Sequence, residues 1–141
     1  MPASQPRSAL GVALERVGDR WSLLLVEALL DGPRRFNELG DLVAGIAPNT
    51  LTDRLRRLAR EGIVLAEPYS ERPLRLSYSL TSDGAELAGV LRLLAAWGMS
   101  GADGVEALRH AACGTPMGAR WYCPTCERAV EDEETSSLRY A

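Results

Sequence analysis

Apolar residues recur three or four positions apart over most of the first hundred residues, which is the spacing of amphipathic helices. This spacing predicts a first helix over residues 8–17 and a second helix that begins after Asp19, whose side chain can cap it. A short strand separates the second helix from a third one. We expect Asn37 to cap the third helix and its Leu39 and Leu42 to face inward.

The fourth predicted helix is strongly amphipathic. Pro48 suits its first position, because proline lacks the N–H that the first turn of a helix leaves unpaired. Leu51, Leu55 and Leu58 share one face, and Gly62 suits the position just after its end. The opposite face is polar, so this helix is expected to pack on one side and to meet solvent or a partner on the other.

A hairpin and a long helix complete the domain. Residues 63–66 and 76–80 predict two strands joined by a polar turn, and Thr81 is expected to cap a fifth helix. That helix carries an apolar stripe formed by Leu87, Val90, Leu91, Leu94 and Trp97. A short helix, a tight turn, a second helix and a hairpin predict a mainly α (α+β) winged helix-turn-helix, with the fourth helix in the DNA major groove and the hairpin as the wing.

Over roughly residues 8–98 the chain resembles the HxlR-type winged-helix transcriptional regulators. The matching motifs, in order, are Gly18-Asp19-Arg20-Trp21, Asp31-Gly32-Pro33-Arg34-Arg35-Phe36, Glu38-Leu39, Gly45-Ile46-Ala47-Pro48, Leu51-Thr52, Arg54-Leu55, Leu58, Glu61-Gly62-Ile63-Val64, Tyr69, Pro73, Tyr78, Leu80-Thr81, Gly84, Leu94 and Trp97. The resemblance implies a DNA-binding homodimer built from the first and last helices of the domain. The apolar stripe on the fifth helix is consistent with such a seam, and the alternative is that it packs only within the core of its own chain.

Three positions depart from the family pattern. Ser8 stands where members that sense oxidants carry a cysteine, so thiol switching at that position is excluded. Ala47 stands where a serine is usual and cannot cap the fourth helix, a loss of about 1 kcal/mol. Leu74 replaces a frequent second proline in the wing, which predicts a less rigid wing tip.

Twelve residues of this domain are candidates for DNA contact. They are Arg34, Arg35, Asn49, Thr50, Thr52, Asp53, Arg54, Arg56, Arg57, Arg60, Arg72 and Arg75. In the fourth helix, Arg56 suits a bidentate contact to guanine, whereas Arg57 and Arg60 suit phosphates. The alternative is a solvated helix face whose arginines pair with Asp53 and Glu61 of the same helix.

Composition and charge narrow the class of protein. The 141 residues include 46% apolar and 25% charged residues, which is typical of a folded globular chain. Residues 1–100 hold 12 arginines and 12 acidic residues, whereas residues 101–141 hold 4 and 7, which accounts for the whole net charge of −3. No stretch approaches the ~20 apolar residues of a membrane span, and the first residues lack the apolar core of a secretory signal. We therefore expect a cytoplasmic protein.

The last forty residues carry a different motif. All three cysteines and the single histidine lie within 17 residues, as His110-x-x-Cys113, nine further residues and Cys123-Pro124-Thr125-Cys126. Two such pairs predict a structural zinc site in a ribbon-like element. A redox-active Cys-x-x-Cys pair, a disulfide and free thiols are the alternatives.

These patterns divide the chain into four parts. We expect the DNA-binding and dimerisation domain at residues 8–99, a linker or short helix at 100–109, the zinc-ribbon-like element at 110–130 and an acidic tail at 131–141.

The predicted function is that of a sequence-specific regulator that binds a pseudo-palindromic operator as a homodimer. Three alternatives stand for what triggers it: a small-molecule effector, a metal or redox response at the ribbon-like element, or no effector. The alternative is a winged-helix and zinc-ribbon module that docks on RNA polymerase. Catalysis is not expected, because the one histidine belongs to the zinc motif and no phosphate-binding glycine loop is present.

Overall fold

The computed structural model describes residues 8–99, 108–131 and 134, in two compact units that span Met1–Leu91 and Arg92–Ala141. The helices are α1 Ala9–Val17, α2 Arg20–Leu29, α3 Phe36–Leu42, α4 Pro48–Arg60, α5 Ser82–Ala85 and α6 Leu87–Met99. The strands are β1 Arg34–Arg35, β2 Val64–Glu71, β3 Leu74–Leu80, β4 Trp121–Cys123 and β5 Arg128–Val130. Residues 100–107 of the predicted linker and most of the predicted acidic tail lie outside the described residues.

The first unit has the predicted winged helix-turn-helix architecture. Its three strands form an antiparallel sheet in the order β1-β3-β2, so that the long hairpin of β2 and β3 is joined on one side by the two-residue strand β1. The hairpin follows α4 directly, as a wing follows a recognition helix. The mainly α (α+β) fold class is confirmed. In the described residues, no helix is long and apolar enough to cross a bilayer.

The core is built from α2, α3, α4 and the start of β2. Leu51, Leu55 and Leu58 supply the buried face of α4, as the spacing predicts. They pack in one cluster with Leu25, Leu29 and other apolar residues of neighbouring elements. Each fully buried leucine stabilises the fold by about 1.5–3 kcal/mol relative to an exposed one, so this contact fixes which side of α4 faces outward.

Helix starts agree with the capping chemistry of the sequence except at α3. The Ser8 hydroxyl accepts a hydrogen bond from the Gly11 N–H at 2.9 Å, and Ala47, at the start of α4, makes no capping hydrogen bond. The prediction that Asn37 caps α3 is wrong: Arg35 is the capping residue, and its N–H donates to the Glu38 carboxylate at 2.6 Å. The helix starts early because β1 runs into it without a loop.

Two further expectations are corrected. Leu42 does not face inward but is 55% exposed, and Val43, four residues after Leu39, takes the buried position. The predicted fifth helix is two helices, α5 and α6. Thr81 does cap the first of them.

The short helix α5 is held against the end of α4. The Thr81 hydroxyl donates to the Gly62 carbonyl at 2.6 Å, and a Cβ at Gly84 would stand 2.2 Å from the Ile63 carbonyl oxygen. Only glycine permits that approach.

One carboxylate joins α2 to α4. Asp19 accepts hydrogen bonds from the N–H and the hydroxyl of Ser22 at 3.0 and 2.6 Å, and from Arg54 Nε at 2.9 Å. Ser22 is fully buried, and the bond to Asp19 satisfies the hydrogen-bonding capacity of its hydroxyl in the core. Burial raises the pKa of Asp19, but the hydrogen bonds from Ser22 and Arg54 outweigh it and hold that pKa below its usual value.

Replacing Asp19 is expected to destabilise the first unit. Asp19→Ala removes a helix cap worth about 1 kcal/mol and a charge-assisted bond to Arg54, so the free energy of unfolding is expected to fall by about 2 kcal/mol in urea denaturation at pH 7. Asp31→Ala, at an exposed carboxylate, is the control and is expected to change it by less than about 0.5 kcal/mol.

The effect of Asp19 is expected to depend on pH with a defined sign. A carboxylate whose pKa is lowered by folding stabilises fully above its unfolded pKa of about 3.9 and loses that effect as the pH falls through the folded value. Asp19→Asn keeps the cap but loses the charge. Its stability deficit relative to the wild type is therefore expected at pH 7, shrinks as the pH falls below about 4 and closes below the folded pKa of Asp19, whereas a deficit that persists unchanged in acid contradicts this assignment.

Candidate nucleic-acid interface

The outward face of α4 is polar and exposed. Asn49, Asp53, Arg56 and Arg60 are exposed along it, opposite the buried leucines. Thr50 and Thr52 lie half-buried at its flank. The Thr52 hydroxyl donates to the Pro48 carbonyl of the same helix at 3.1 Å, which leaves its methyl group as the part that suits an apolar contact.

The four clustered arginines of α4 divide into two pairs with different surroundings. Arg54 is half-buried and bonded to Asp19, and Arg57 lies 3.8 Å from the same carboxylate while its Nη2 donates to the Glu15 carbonyl of α1. Neither is paired within its own helix in the way that the alternative interpretation proposed. Arg56 and Arg60 are exposed. The structure therefore brings Arg54 and Arg57 to the other helices and leaves Arg56 and Arg60 at the surface.

An open cleft of about 640 Å³ lies between the start of α3, α4 and the wing. Three of the predicted DNA-contacting residues, Arg35, Thr52 and Arg75, line it. The Arg35 guanidinium lies 4.5 Å from the ring centroid of Tyr69, a cation–π contact that fixes the arginine against the wing. Positive charge is thus held at a concave edge beside α4.

The wing carries its predicted arginines at the surface. Arg72 and Arg75 are exposed at and near its tip, and Leu74 beside them is 67% exposed. The Ser70 hydroxyl donates to the Pro73 carbonyl at 2.9 Å and closes the tip. Strand β2 ends at Glu71 and β3 begins at Leu74, so both strands continue past their predicted limits up to the predicted polar turn.

Arg34 is the predicted contact least suited to reaching a ligand. It is half-buried in β1 opposite Tyr78, and its Nε is buried with no hydrogen-bond partner among the described residues.

The pKa of the Tyr78 hydroxyl is raised. Burial raises it, and the positive charge of Arg56 lowers it by a smaller amount.

The sequence alone does not predict the contacts that two residues make at this surface. Asp19 is recognisable as a helix cap, but its bond to Arg54 spans 35 residues, and no local pattern signals it. Tyr69 matches a family motif without revealing that it stacks on Arg35. The Arg20 guanidinium lies 4.2 Å from the ring centroid of Trp21, a cation–π contact between neighbouring residues.

In the second unit, the four predicted metal ligands form two pairs. His110 Nδ1 lies 3.3 Å from Cys113 Sγ, and Cys123 and Cys126 share one turn between β4 and β5. No group of three or more histidine, cysteine or acidic side chains that suits a metal ion forms among the described residues.

The three thiols differ in their acidity. Hydrogen bonds with Thr115 lower the pKa of Cys113, and hydrogen bonds with Cys126 lower that of Cys123. The pKa of Cys126 is raised, since it hydrogen-bonds to Cys123.

Comparisons with known proteins agree with this geometry. An HTH-type transcriptional regulator of Mycobacterium tuberculosis, itself uncharacterized, is 38% identical over 126 residues, which cover 86% of this chain and 79% of the relative. The regulator YdeP of Bacillus subtilis, also uncharacterized, is 36% identical over 98 residues, which cover 70% of this chain and 77% of the relative.

A solved structure is also similar to this chain in fold and sequence. The redox regulator HypR in its oxidized form has a TM-score of 0.63 at 33% identity, covering 68% of this chain and 99% of its own. The family model for the HxlR-like helix-turn-helix matches residues 16–105. This chain belongs to the HxlR-like helix-turn-helix family of DNA-binding transcriptional regulators.

Proposed function

We propose that the protein is a cytoplasmic homodimer that binds a pseudo-palindromic operator in a sequence-specific manner and regulates transcription by blocking or recruiting RNA polymerase. The observation that carries this proposal is the exposed polar face of α4, with Asn49, Asp53, Arg56 and Arg60 opposite a buried leucine face. A rigid helix that presents donors and acceptors on one side is the element that fits the major groove.

The roles of the exposed residues follow from their chemistry. Asn49 suits adenine, Asp53 suits the amino group of cytosine, and Arg56 suits the two acceptors of guanine. Arg60, near the end of the helix, suits a phosphate. Arg72 and Arg75 on the wing suit the backbone or the minor groove beside the site.

Arg54 and Arg57 take a different role in this proposal. Their bonds to Asp19 and to α1 hold α4 in place, so they position the face that reads DNA. Breaking the Arg54–Asp19 bond to reach a phosphate would leave a half-buried carboxylate without its charged partner, which is costly. Arg35 is held by Tyr69 beside the cleft and fits a phosphate contact at its edge.

The proposed dimer rests on exposed apolar side chains that α1 and α6 each carry. Leu10 and Leu14 of α1 are exposed, as are Val90, Leu94 and Trp97 of α6, and Trp97 is 76% exposed. An exposed tryptophan in an apolar stripe is typical of a residue that a partner covers. One recognition helix contacts only a few base pairs, so two copies related by a twofold axis supply the length that a specific site needs.

The alternative of docking on RNA polymerase lacks support from the relatives, which carry the names of HTH-type transcriptional regulators. A small-molecule effector and the absence of catalysis stay predictions.

DNA binding is tested by fluorescence anisotropy with duplex DNA from the region upstream of the protein's own gene, against a scrambled duplex at several salt concentrations. The wild type is expected to prefer the upstream DNA, with an affinity that falls steeply with salt. Arg56→Ala is expected to cost about 1–3 kcal/mol on the upstream duplex and to relax its preference. Arg60→Ala is expected to weaken both duplexes alike and to reduce the salt slope by about 1.

The matched control is Arg120→Ala, which removes the same charge from the second unit, where Arg120 pairs with Glu131 at 2.8 Å. Its DNA affinity is expected to equal that of the wild type. Equal binding of both duplexes by the wild type, or equal losses in Arg56→Ala and Arg120→Ala, would contradict operator recognition by α4 and favour the polymerase alternative.

Dimerisation is tested by light scattering after size-exclusion chromatography. The wild type is expected to elute with the mass of two chains, and Trp97→Glu with the mass of one, because a charge cannot be buried in an apolar seam without a partner. Leu74→Glu alters another exposed apolar residue, at the wing tip, and is expected to stay dimeric. A wild type that elutes with the mass of one chain would contradict the proposed homodimer.

A further inference from the structure

Two turns of the second unit have the same construction. In each turn, two residues that can ligate a metal stand three positions apart, His110 with Cys113 and Cys123 with Cys126. The residue that follows each pair has a left-handed backbone, with φ of 70° at Gly114 and 53° at Glu127. Glu127 is the one non-glycine residue with a positive φ among those described, and residues with side chains rarely adopt it. The same uncommon bend thus follows both pairs.

The first turn brings the side chains of His110 and Cys113 close together. The N–H groups of Cys113 and Gly114 both donate to the His110 carbonyl, at 3.3 and 2.7 Å, and the His110 N–H donates to the Thr115 carbonyl at 2.9 Å. These bonds close the turn and place His110 Nδ1 3.3 Å from Cys113 Sγ. The Thr115 hydroxyl lies 3.2 Å from the same sulfur and steadies it.

The second turn caps a two-stranded hairpin. Cys123 ends β4 and is paired with Arg128 at the start of β5. The antiparallel pairing of β4 and β5 therefore holds the turn between them. Cys126 lies within that turn, three positions after Cys123, which is a spacing at which two cysteines ligate one zinc ion.

The segment that carries both turns has no core of its own. Among residues 108–131, all of them described, no side chain is buried, and Trp121 and Tyr122 are more than half exposed. An isolated two-stranded hairpin is marginal in water, and small elements without a core are usually stabilised by a disulfide or a metal. Ion pairs of Arg120 with Glu131 and of Arg128 with Glu134, both at 2.8 Å and solvent-exposed, contribute little.

We propose that one zinc ion binds His110, Cys113, Cys123 and Cys126 together and holds the two turns in a single structural site. Three thiolates and one imidazole are a ligand set of structural zinc sites, and four protein ligands leave no open position for catalysis. The structure forms each pair separately, and the nine residues between Cys113 and Cys123 are long enough to join them at one ion. This proposal goes beyond the proposed function, because the face of α4 belongs to the first unit.

The test uses the full chain, reduced and freed of metal without oxygen, and titrated with Zn²⁺ against a coloured chelator and separately with Co²⁺. We expect one ion per chain and a cobalt spectrum with the intense visible bands of a tetrahedral site and thiolate-to-metal charge transfer. Cys113→Ser and Cys126→Ser, one from each turn, are each expected to abolish tight binding. Thr115→Val is expected to weaken it by about tenfold, because its hydroxyl steadies a ligand.

Thr125→Ala is the matched control, since Thr125 lies inside the second turn and supplies no ligand side chain. Its zinc affinity is expected to equal that of the wild type. A measurement that needs no variant is thiol alkylation of the wild type: zinc is expected to protect all three cysteines, and a strong chelator to expose them again.

Three results would overturn the proposal. The first is that the reduced wild type binds no stoichiometric metal. The second is binding that survives Cys113→Ser and His110→Ala unchanged, which would confine the ion to Cys123 and Cys126. The third is a stable disulfide between those two cysteines in the isolated protein, with zinc unable to protect them after reduction.

Discussion

The carboxylate of Asp19 is the point at which α2, the buried hydroxyl of Ser22 and the helix α4 meet. It caps one helix and binds Arg54 of the other, and Arg57 stands close to it. Leucine packing determines which face of α4 is buried, but such packing tolerates small rotations and shifts along the helix. A charge-assisted bond at 2.9 Å is directional and tolerates much less. This bond therefore restricts the orientation of the outward face of α4.

The same bond changes what the arginine cluster can do. Four arginines in seven residues suggest a uniformly basic helix face. The structure instead bonds half-buried Arg54 to Asp19 and half-buried Arg57 to the Glu15 carbonyl, and it leaves Arg56 and Arg60 exposed. Phosphate attraction alone does not distinguish sequences, whereas one arginine at a fixed position beside an asparagine and an aspartate can. With Arg54 and Arg57 bonded to neighbouring elements, Arg56 and Arg60 are the arginines of the α4 cluster that stay exposed.

Most of the fold follows from local patterns, because capping residues, leucine spacing and the Pro48 start are properties of neighbouring positions. The errors arise where distant parts of the chain decide the outcome. Asn37 loses the cap of α3 because β1 pairs with β3 and runs straight into the helix. The fifth helix divides where α5 is bonded to the chain after α4. In the candidate site, residue types and the helix were predictable, but the partners of Arg54 and Arg35 are long-range and left no local signal.

The most direct test of this account is dimethyl sulfate protection on the upstream DNA, since the reagent methylates guanine N7 in the major groove and adenine N3 in the minor groove. If α4 of each subunit lies in the major groove, guanines in two half-sites about one helical turn apart become protected, and Arg56→Ala exposes one guanine in each half-site while the others stay protected. Protection restricted to adenine N3, or an Arg56→Ala pattern identical to that of the wild type on bound DNA, would contradict the placement of α4.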